Sequence, residues 1–251
     1  MPTIHPIDAA VAWPANEGTL GVVGVAPWAT LDFLKALYGQ VAASKDWHYP
    51  RVLCDLNPKL PSRGRHLELG ERDPSPFIAQ TIAELAAQGA TAVVVPCNTA
   101  HILYPRWSAG APVPVPSIVE ATTAALLAGQ ARRAAVLASA TLYRNGLYQQ
   151  GLEAAGIAPC ALEQAEVQLV ADTITAVKTR GGIDQALQAQ LEQLFARLAD
   201  QGADGVVLGC TELAALAPLA GRHLAVVAES NAALASAALR AIGMTPNLSA
   251  A

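Results

Sequence analysis

Leu85-Ala-Ala-Gln-Gly-Ala-Thr-Ala-Val-Val-Val-Pro-Cys97-Asn-Thr and Leu198-Ala-Asp-Gln-Gly-Ala-Asp-Gly-Val-Val-Leu-Gly-Cys210-Thr-Glu are two stretches of one chain that run in step. Each closes a helical pattern, turns at Gln-Gly-Ala, enters a run of valines and reaches a cysteine eight residues after the glycine (89 to 97, 202 to 210). A helix feeding a buried strand, met twice in register, predicts two similar α/β halves, each ending a strand in a cysteine.

The same alternation extends outward. Leu20 to Gly24 reads as a first strand with a helix over Ala29 to Ala43, and Arg51 to Leu56 as a second strand. Asn57 to Pro76 is polar and proline-containing, too long for a plain connection, and is expected to be a functional loop. A helix over Ser75 to Gln88 leads to the strand Thr91 to Pro96, and Gly110 to Pro116 is a stiff extended connector. The pattern then restarts. Helices are expected near Ile118 to Ala128, Asn145 to Ala155, Glu166 to Thr179 and Ile183 to Gln201. Strands are expected at Ala134 to Ala138 and Gly205 to Leu208, with a last strand and helix between Leu224 and Ile242. The fold class is therefore α/β, with two pseudo-symmetric domains of mainly parallel strands. Their expected bounds are 19–116 and 117–223, with a flexible leader over residues 1–18.

Composition narrows the class. The chain has 251 residues, 53% of them hydrophobic and 14% charged, with a mean hydropathy of +0.32, a balance opposite to that of disordered chains. A membrane span needs about 18 consecutive apolar residues, and none is seen. A net charge of −4 without a basic block argues against nucleic acid. Four cysteines (Cys54, Cys97, Cys160, Cys210) are too sparse for a disulfide framework, and the N-terminus lacks the basic start and apolar centre of a signal peptide. The expected location is the cytoplasm, where thiols stay reduced. No zinc spacing, phosphate loop or dinucleotide fingerprint is found, so neither metal nor organic cofactor is expected.

In open α/β sheets ligands bind beyond the carboxyl ends of the strands. Cys97 and Cys210 both belong there, and if the halves face each other the thiols flank one cleft. Such a pair can remove a proton from one face of a carbon and return one to the other, inverting a stereocentre without a cofactor. A strand-end cysteine is often only packing; the symmetry and the polar residues that follow argue for chemistry. Asn98, Thr99 and Thr211 read as helix caps that also hold a substrate's α-carboxylate or ammonium. Glu212 would receive the ammonium, orient a thiol, or sit as a first-turn acid. His101 would tune Cys97 or serve as a structural hydrogen bonder. Cys54, inside a strand, and Cys160, in a connection, read as structural.

Val93-Val-Val-Pro-Cys97-Asn98-Thr99-Ala100-His101 and Leu208-Gly209-Cys210-Thr211-Glu212-Leu213 together resemble the paired signature motifs of the pyridoxal-phosphate-independent aspartate/glutamate racemases. The resemblance covers about Leu20 to Ile242. It implies two α/β domains with the active site between them, a cysteine as base and another as acid, and a first domain completed by the C-terminal segment 224–251. Asn57-Pro-Lys-Leu-Pro-Ser-Arg63 resembles the aspartate-racemase loop whose arginine binds the side-chain carboxylate, and Thr175-Ala-Val-Lys178 the region supplying a lysine to the same group. Arg65 is a substitute for Arg63 if the register slips. The implied partner is a small dicarboxylic amino acid, and a homodimer is expected.

The chain also departs from the family. Gly24-Val25-Ala26-Pro27-Trp28 replaces a Gly-Gly-Met-Gly-Pro loop, Ser62 stands where Asp is usual, and Ala138-Ser139-Ala140-Thr141-Leu142 replaces Ala-Thr-x-Gly-Thr. Aspartate, glutamate and modified relatives all stay open as substrates. So do a decarboxylase or cis–trans isomerase of small dicarboxylic acids and a non-catalytic dicarboxylate-binding protein, although the retained cysteine pair counts against the enzymes that lack one. Hydantoin racemases would leave Arg63 and Lys178 idle.

Overall fold

The structure, a computed structural model, describes residues 17–247. Strand β1 (Leu20–Gly24) is followed by α1 (Pro27–Gly39), a 3-10 turn at Asp46–His48 and β2 (Val52–Leu56). Then come α2 (Arg63–Leu69), α3 (Ser75–Ala87), β3 (Ala92–Val94), a 3-10 turn (Thr99–Leu103) and α4 (Tyr104–Ser108). The second half repeats the scheme with α5 (Ile118–Ala128), β4 (Arg133–Ala138), α6 (Ala140–Asn145), α7 (Leu147–Ala154) and β5 (Ala158–Cys160). It continues with α8 (Gln164–Arg180), α9 (Gln185–Asp200), β6 (Gly205–Gly209), a 3-10 turn (Thr211–Leu216), α10 (Ala217–Ala220), β7 (Val226–Glu229) and α11 (Ser230–Ala241).

All described strand pairs are parallel. The first sheet runs β2-β1-β3 and the second β5-β4-β6-β7. In each half the first strand is central and the cysteine-bearing third strand lies on the same side of it, so the two halves share one strand order. β1 and β6 are buried along their whole length, as strands covered by helices on both faces must be. The register sets Leu20 beside Ala92 and Val22 beside Val94, and Leu208 beside both Leu137 and Glu229.

The Gln-Gly-Ala turn is a helix stop. Gly89 (φ +100°) and Gly202 (φ +81°) take the left-handed conformation, which costs glycine little. Ala90 N–H then reaches Leu85 O at 3.0 Å and Ala203 N–H reaches Leu198 O at 3.0 Å, capping the last carbonyls and turning the chain into the next strand.

Helix α11 joins the halves. It packs on α1 and α5, and most of it is buried, including Leu234, Ala235, Ala238 and Leu239. Its alanines and serines let both neighbours approach closely, which is where part of the chain's alanine excess goes. The contact carries a buried polar tie: Ser236 Oγ donates to Gln40 Oε1 at 2.6 Å, and Gln40 Nε2 to Ala232 O at 2.8 Å.

Within the C-terminal segment β7 pairs with β6 and extends the second sheet, whereas α11 packs on α1 and Asn247 N–H bonds Gln40 O at 2.7 Å. Several expectations are corrected. The loop 57–76 contains α2, capped by Ser62 Oγ, which accepts Arg65 N–H at 3.3 Å, and closed by Gly70 in the left-handed region. The helix expected over 145–155 is preceded by α6 and separated from it by Gly146. Cys160 ends an edge strand, β5, rather than lying in a connection. The expected leader 1–18 falls outside the described residues except for Glu17 and Gly18, whose N–H bonds Ile242 O at 2.7 Å.

Candidate active site

Cys210 follows β6 directly and Cys97 lies three residues past the end of β3, both at the carboxyl ends of parallel sheets. Both are free and half-buried. The segments after them are 3-10 turns rather than α-helices, and Asn98, Thr99 and Thr211 do not act as side-chain caps. Each has a different setting.

Asn98, 5% exposed, bridges the halves. Its Nδ2 donates to Ser230 Oγ at 2.9 Å, and its Oδ1 accepts from Tyr148 Oη at 2.6 Å. Tyr148 is fully buried and packs against Gly209, where an added Cβ would meet its ring at 3.2 Å. The residue after Cys97 is thus tied to the side chain that covers the residue before Cys210. Burial keeps the Tyr148 phenol protonated, pushing its pKa well up. Thr99 is half-buried and makes no side-chain hydrogen bond to the described residues, leaving its hydroxyl available.

His101 is fully buried. Its Nε2 accepts Ile118 N–H at 3.1 Å, so Nδ1 carries the proton and donates to Cys97 O at 2.9 Å. Burial pushes its pKa down to about 4, partly opposed by the bond to the Cys97 carbonyl. This neutral imidazole fixes the backbone at Cys97 and the start of α5, and its ring stacks on Tyr104.

Around Cys210 the arrangement is charged. The thiol donates to Glu212 Oε2 at 2.8 Å and Thr211 Oγ1 donates to the same oxygen at 3.0 Å, while Lys178 Nζ lies 3.4 Å from Oε1. Burial first, then the Glu212 charge and its hydrogen bond, push the Cys210 thiol strongly up. Burial acts to raise Glu212 as well, yet the Cys210 hydrogen bond, the Lys178 ammonium and other donors hold its carboxyl below the usual range. The pair therefore rests as thiol and carboxylate.

Arg63 opens α2 and turns toward the end of β1. Its Nη1 donates to Pro61 O and its Nη2 to Val25 O, both at 3.3 Å, while its Nε is buried without a partner. No carboxylate among the described residues pairs with it, so the guanidinium keeps a fork edge for an anion. Arg65 is no substitute: it is exposed and bonded to Glu71. Lys178 is spoken for by Glu212 and does not stand as a free cation. Above the site Thr141 on α6 bonds Glu68 on α2, joining the two halves on the α2 side. Tyr148 and Ser230 were not signalled by any motif; their contacts with Asn98 span 50 and 132 residues.

Comparison with known proteins agrees with this architecture. The Asp/Glu/Hydantoin racemase family model matches residues 21–238. Among curated proteins the chain is similar to the broad specificity amino-acid racemase RacX of Bacillus subtilis, 29% identical over 74% of this chain and 78% of that protein. It is also similar to a glutamate racemase of Shewanella woodyi, 31% identical over 64% of this chain and 61% of that one. Among solved structures, Picrophilus torridus aspartate racemase superposes with a TM-score of 0.80 at 21% identity, covering 93% of this chain and 97% of that one. An aspartate racemase homologue from Pyrococcus horikoshii gives 0.74 at 20% identity, covering 89% and 98%. These two solved structures have the same fold. Among the described residues no helix is long and apolar enough to cross a membrane.

Proposed function

Because the chain belongs to the Asp/Glu/Hydantoin racemase family, we propose that it interconverts the enantiomers of an acidic amino acid by proton transfer between two thiols. One cysteine, as thiolate, takes the Cα proton from one face; the other, as thiol, delivers a proton to the opposite face. The bond broken and the bond formed are both C–H, so composition is unchanged and the roles swap for the reverse reaction. No pyridoxal phosphate is required in this reading. The observation that carries it is the equivalent position of Cys97 and Cys210 after β3 and β6 in sheets of one strand order, tied together through Asn98 and Tyr148.

Glu212 positions Cys210 and stores its proton on sulfur, so Cys210 starts as the acid and Cys97 as the base. Thr99 and the second N–H of Asn98 receive the α-carboxylate, with Thr211 on the Cys210 side. Arg63 grips the side-chain carboxylate through its unpaired Nε edge, and Lys178 adds a second positive charge that it shares with Glu212. A thiol-deprived site loses the transfer, because a serine hydroxyl is a far weaker acid and base.

The test is ¹H NMR in D₂O with the L- and D-forms of aspartate and glutamate. Loss of the Cα–H signal with appearance of the opposite enantiomer is expected, and both Cys97→Ser and Cys210→Ser should abolish full inversion. Near-normal turnover in the Cys210→Ser protein would refute the two-thiol reading.

A further inference from the structure

Behind Glu212, between α1, the C-terminal end of α8 and the N-terminal end of α11, lies a cavity of about 890 Å³. Lys178, Thr211 and Glu212 line it, and neither cysteine does. Three carboxylates face it from three elements: Asp32 on α1, Glu212 after β6 and Glu229 ahead of α11. Two cations face it as well. Lys178 is held by Glu212, and Lys35 lies close enough to Asp32 to act on its charge. Glu229 also accepts Asn231 N–H at 2.9 Å and Ala232 N–H at 2.6 Å, so it is fixed in place as a cap.

Asn231 supplies the independent observation. It lines the cavity and is 1% exposed; its Nδ2 donates to Ala29 O at 3.3 Å, and its Oδ1 is buried without a hydrogen-bond partner. The Ala29 carbonyl needs a donor, which fixes the amide's orientation, so the unmet group is an acceptor. A buried acceptor left unpaired costs on the order of 1–3 kcal/mol, and the group that would relieve it is an N–H or O–H donor. The lining also includes apolar side chains, among them Trp28, Ala36, Val177 and Ala215.

Acceptors from three elements and apolar side chains in one lining suit one kind of ligand. We propose that this cavity binds the primary ammonium of an aliphatic amine, with the nitrogen among Asp32, Glu229 and Asn231 Oδ1 and the stem along Trp28 and the alanines. The same chemistry is presented by a free amine and by the side chain of a lysine-like amino acid whose Cα lies in the thiol cleft. Only the second case rests on the racemase reading.

The experiment is calorimetric titration of the full chain with cadaverine, with pentanediol as the uncharged control and glutarate as the anionic one. It is repeated in Asp32→Asn and Asn231→Ala, and Cα–H exchange of L-lysine in D₂O is followed in parallel. Saturable binding of one cadaverine is expected, weakened roughly tenfold by each substitution, as loss of one charge-assisted hydrogen bond predicts, with no heat from pentanediol. Asp32 is exposed on α1, so its substitution leaves folding intact even if Asn231→Ala does not. Absent binding of cadaverine, binding indifferent to Asp32→Asn, or preference for glutarate would overturn the proposal. With cadaverine bound, exchange at the Cα of lysine assigns the ammonium to a substrate side chain, and no exchange assigns it to a separate ligand. The calorimetry stands whether or not aspartate is racemised.

Discussion

Glu212→Gln isolates what a carboxylate does to the neighbouring thiol. In the native protein Glu212 Oε2 accepts the Cys210 proton at 2.8 Å, and the Lys178 ammonium sits 3.4 Å from the other oxygen. A thiolate formed at about 4 Å from that carboxylate would feel about 4 kcal/mol of repulsion at an effective dielectric constant of about 20. Lys178 offsets part of this, because it attracts the same thiolate. A residue of about 1.4 kcal/mol after that offset corresponds to roughly tenfold in thiolate population. Glutamine keeps the shape and an acceptor oxygen but removes the charge; burial of Cys210 persists. The assay is the alkylation rate of Cys210 by iodoacetamide at fixed pH, read by peptide mass spectrometry so that the exposed Cys54 does not contribute. The rate should rise roughly tenfold in the variant, and the alkaline limb of racemisation should move to lower pH. An unchanged or slower alkylation would mean that burial alone sets the thiol and that Glu212 is not its positioning partner.

Four further outcomes are expected. Stability should fall by about 2 kcal/mol between pH 7.5 and 5 on account of His101, because its folded pKa, about 4, lies below the unfolded value of 6.5. The unfolded chain takes up the proton first as pH falls; urea melts of His101→Gln should lose this slope. Arg63→Ala should raise KM for an acidic substrate far more than for its uncharged amide; equal effects on both would remove Arg63 as the side-chain anchor. Gln130 holds φ +64° at a helix stop, so Gln130→Gly should stabilise the protein by about 0.5–1 kcal/mol, detectable as a raised Tm. Gly209→Ala would push a Cβ to 3.2 Å from the Tyr148 ring, and should lower kcat through displaced Tyr148 and Asn98 while leaving the melting transition cooperative.

The strands were legible because parallel strands buried on both faces read as unbroken apolar runs. β5 was not, since Ala158-Pro159-Cys160 has no β-branched residue and pairs over only three positions at a sheet edge. α2 was missed inside a polar stretch although Ser62 and Gly70 mark its two ends. The internal echo was partly generic. Ala131 N–H to Leu126 O and Ile157 N–H to Leu152 O make the same helix stop without the Gln-Gly-Ala sequence, so that turn is what ending a helix before a strand requires. The in-step cysteines and the shared strand order carry the duplication. In the site, residues next to the cysteines could be named from the motif. Tyr148, Ser230 and Asn231 could not, because their roles come from tertiary contacts with no local spacing to betray them.

The buried bridge made by Asn98 has a mechanical consequence. Its bonds to Tyr148 and Ser230, with α11 wedged beside them, fasten the halves at the root of the cleft, whereas the Glu68–Thr141 contact on the far side is exposed. Opening for exchange of substrate and product should therefore swing about Asn98 like a hinge pin, carrying Arg63 and α2 outward on a long arm. The thiols, close to the pin, would travel little. The α2 side would then loosen while the residues beside Asn98 hold their places, and amide exchange should be fast in α2 and slow in α11.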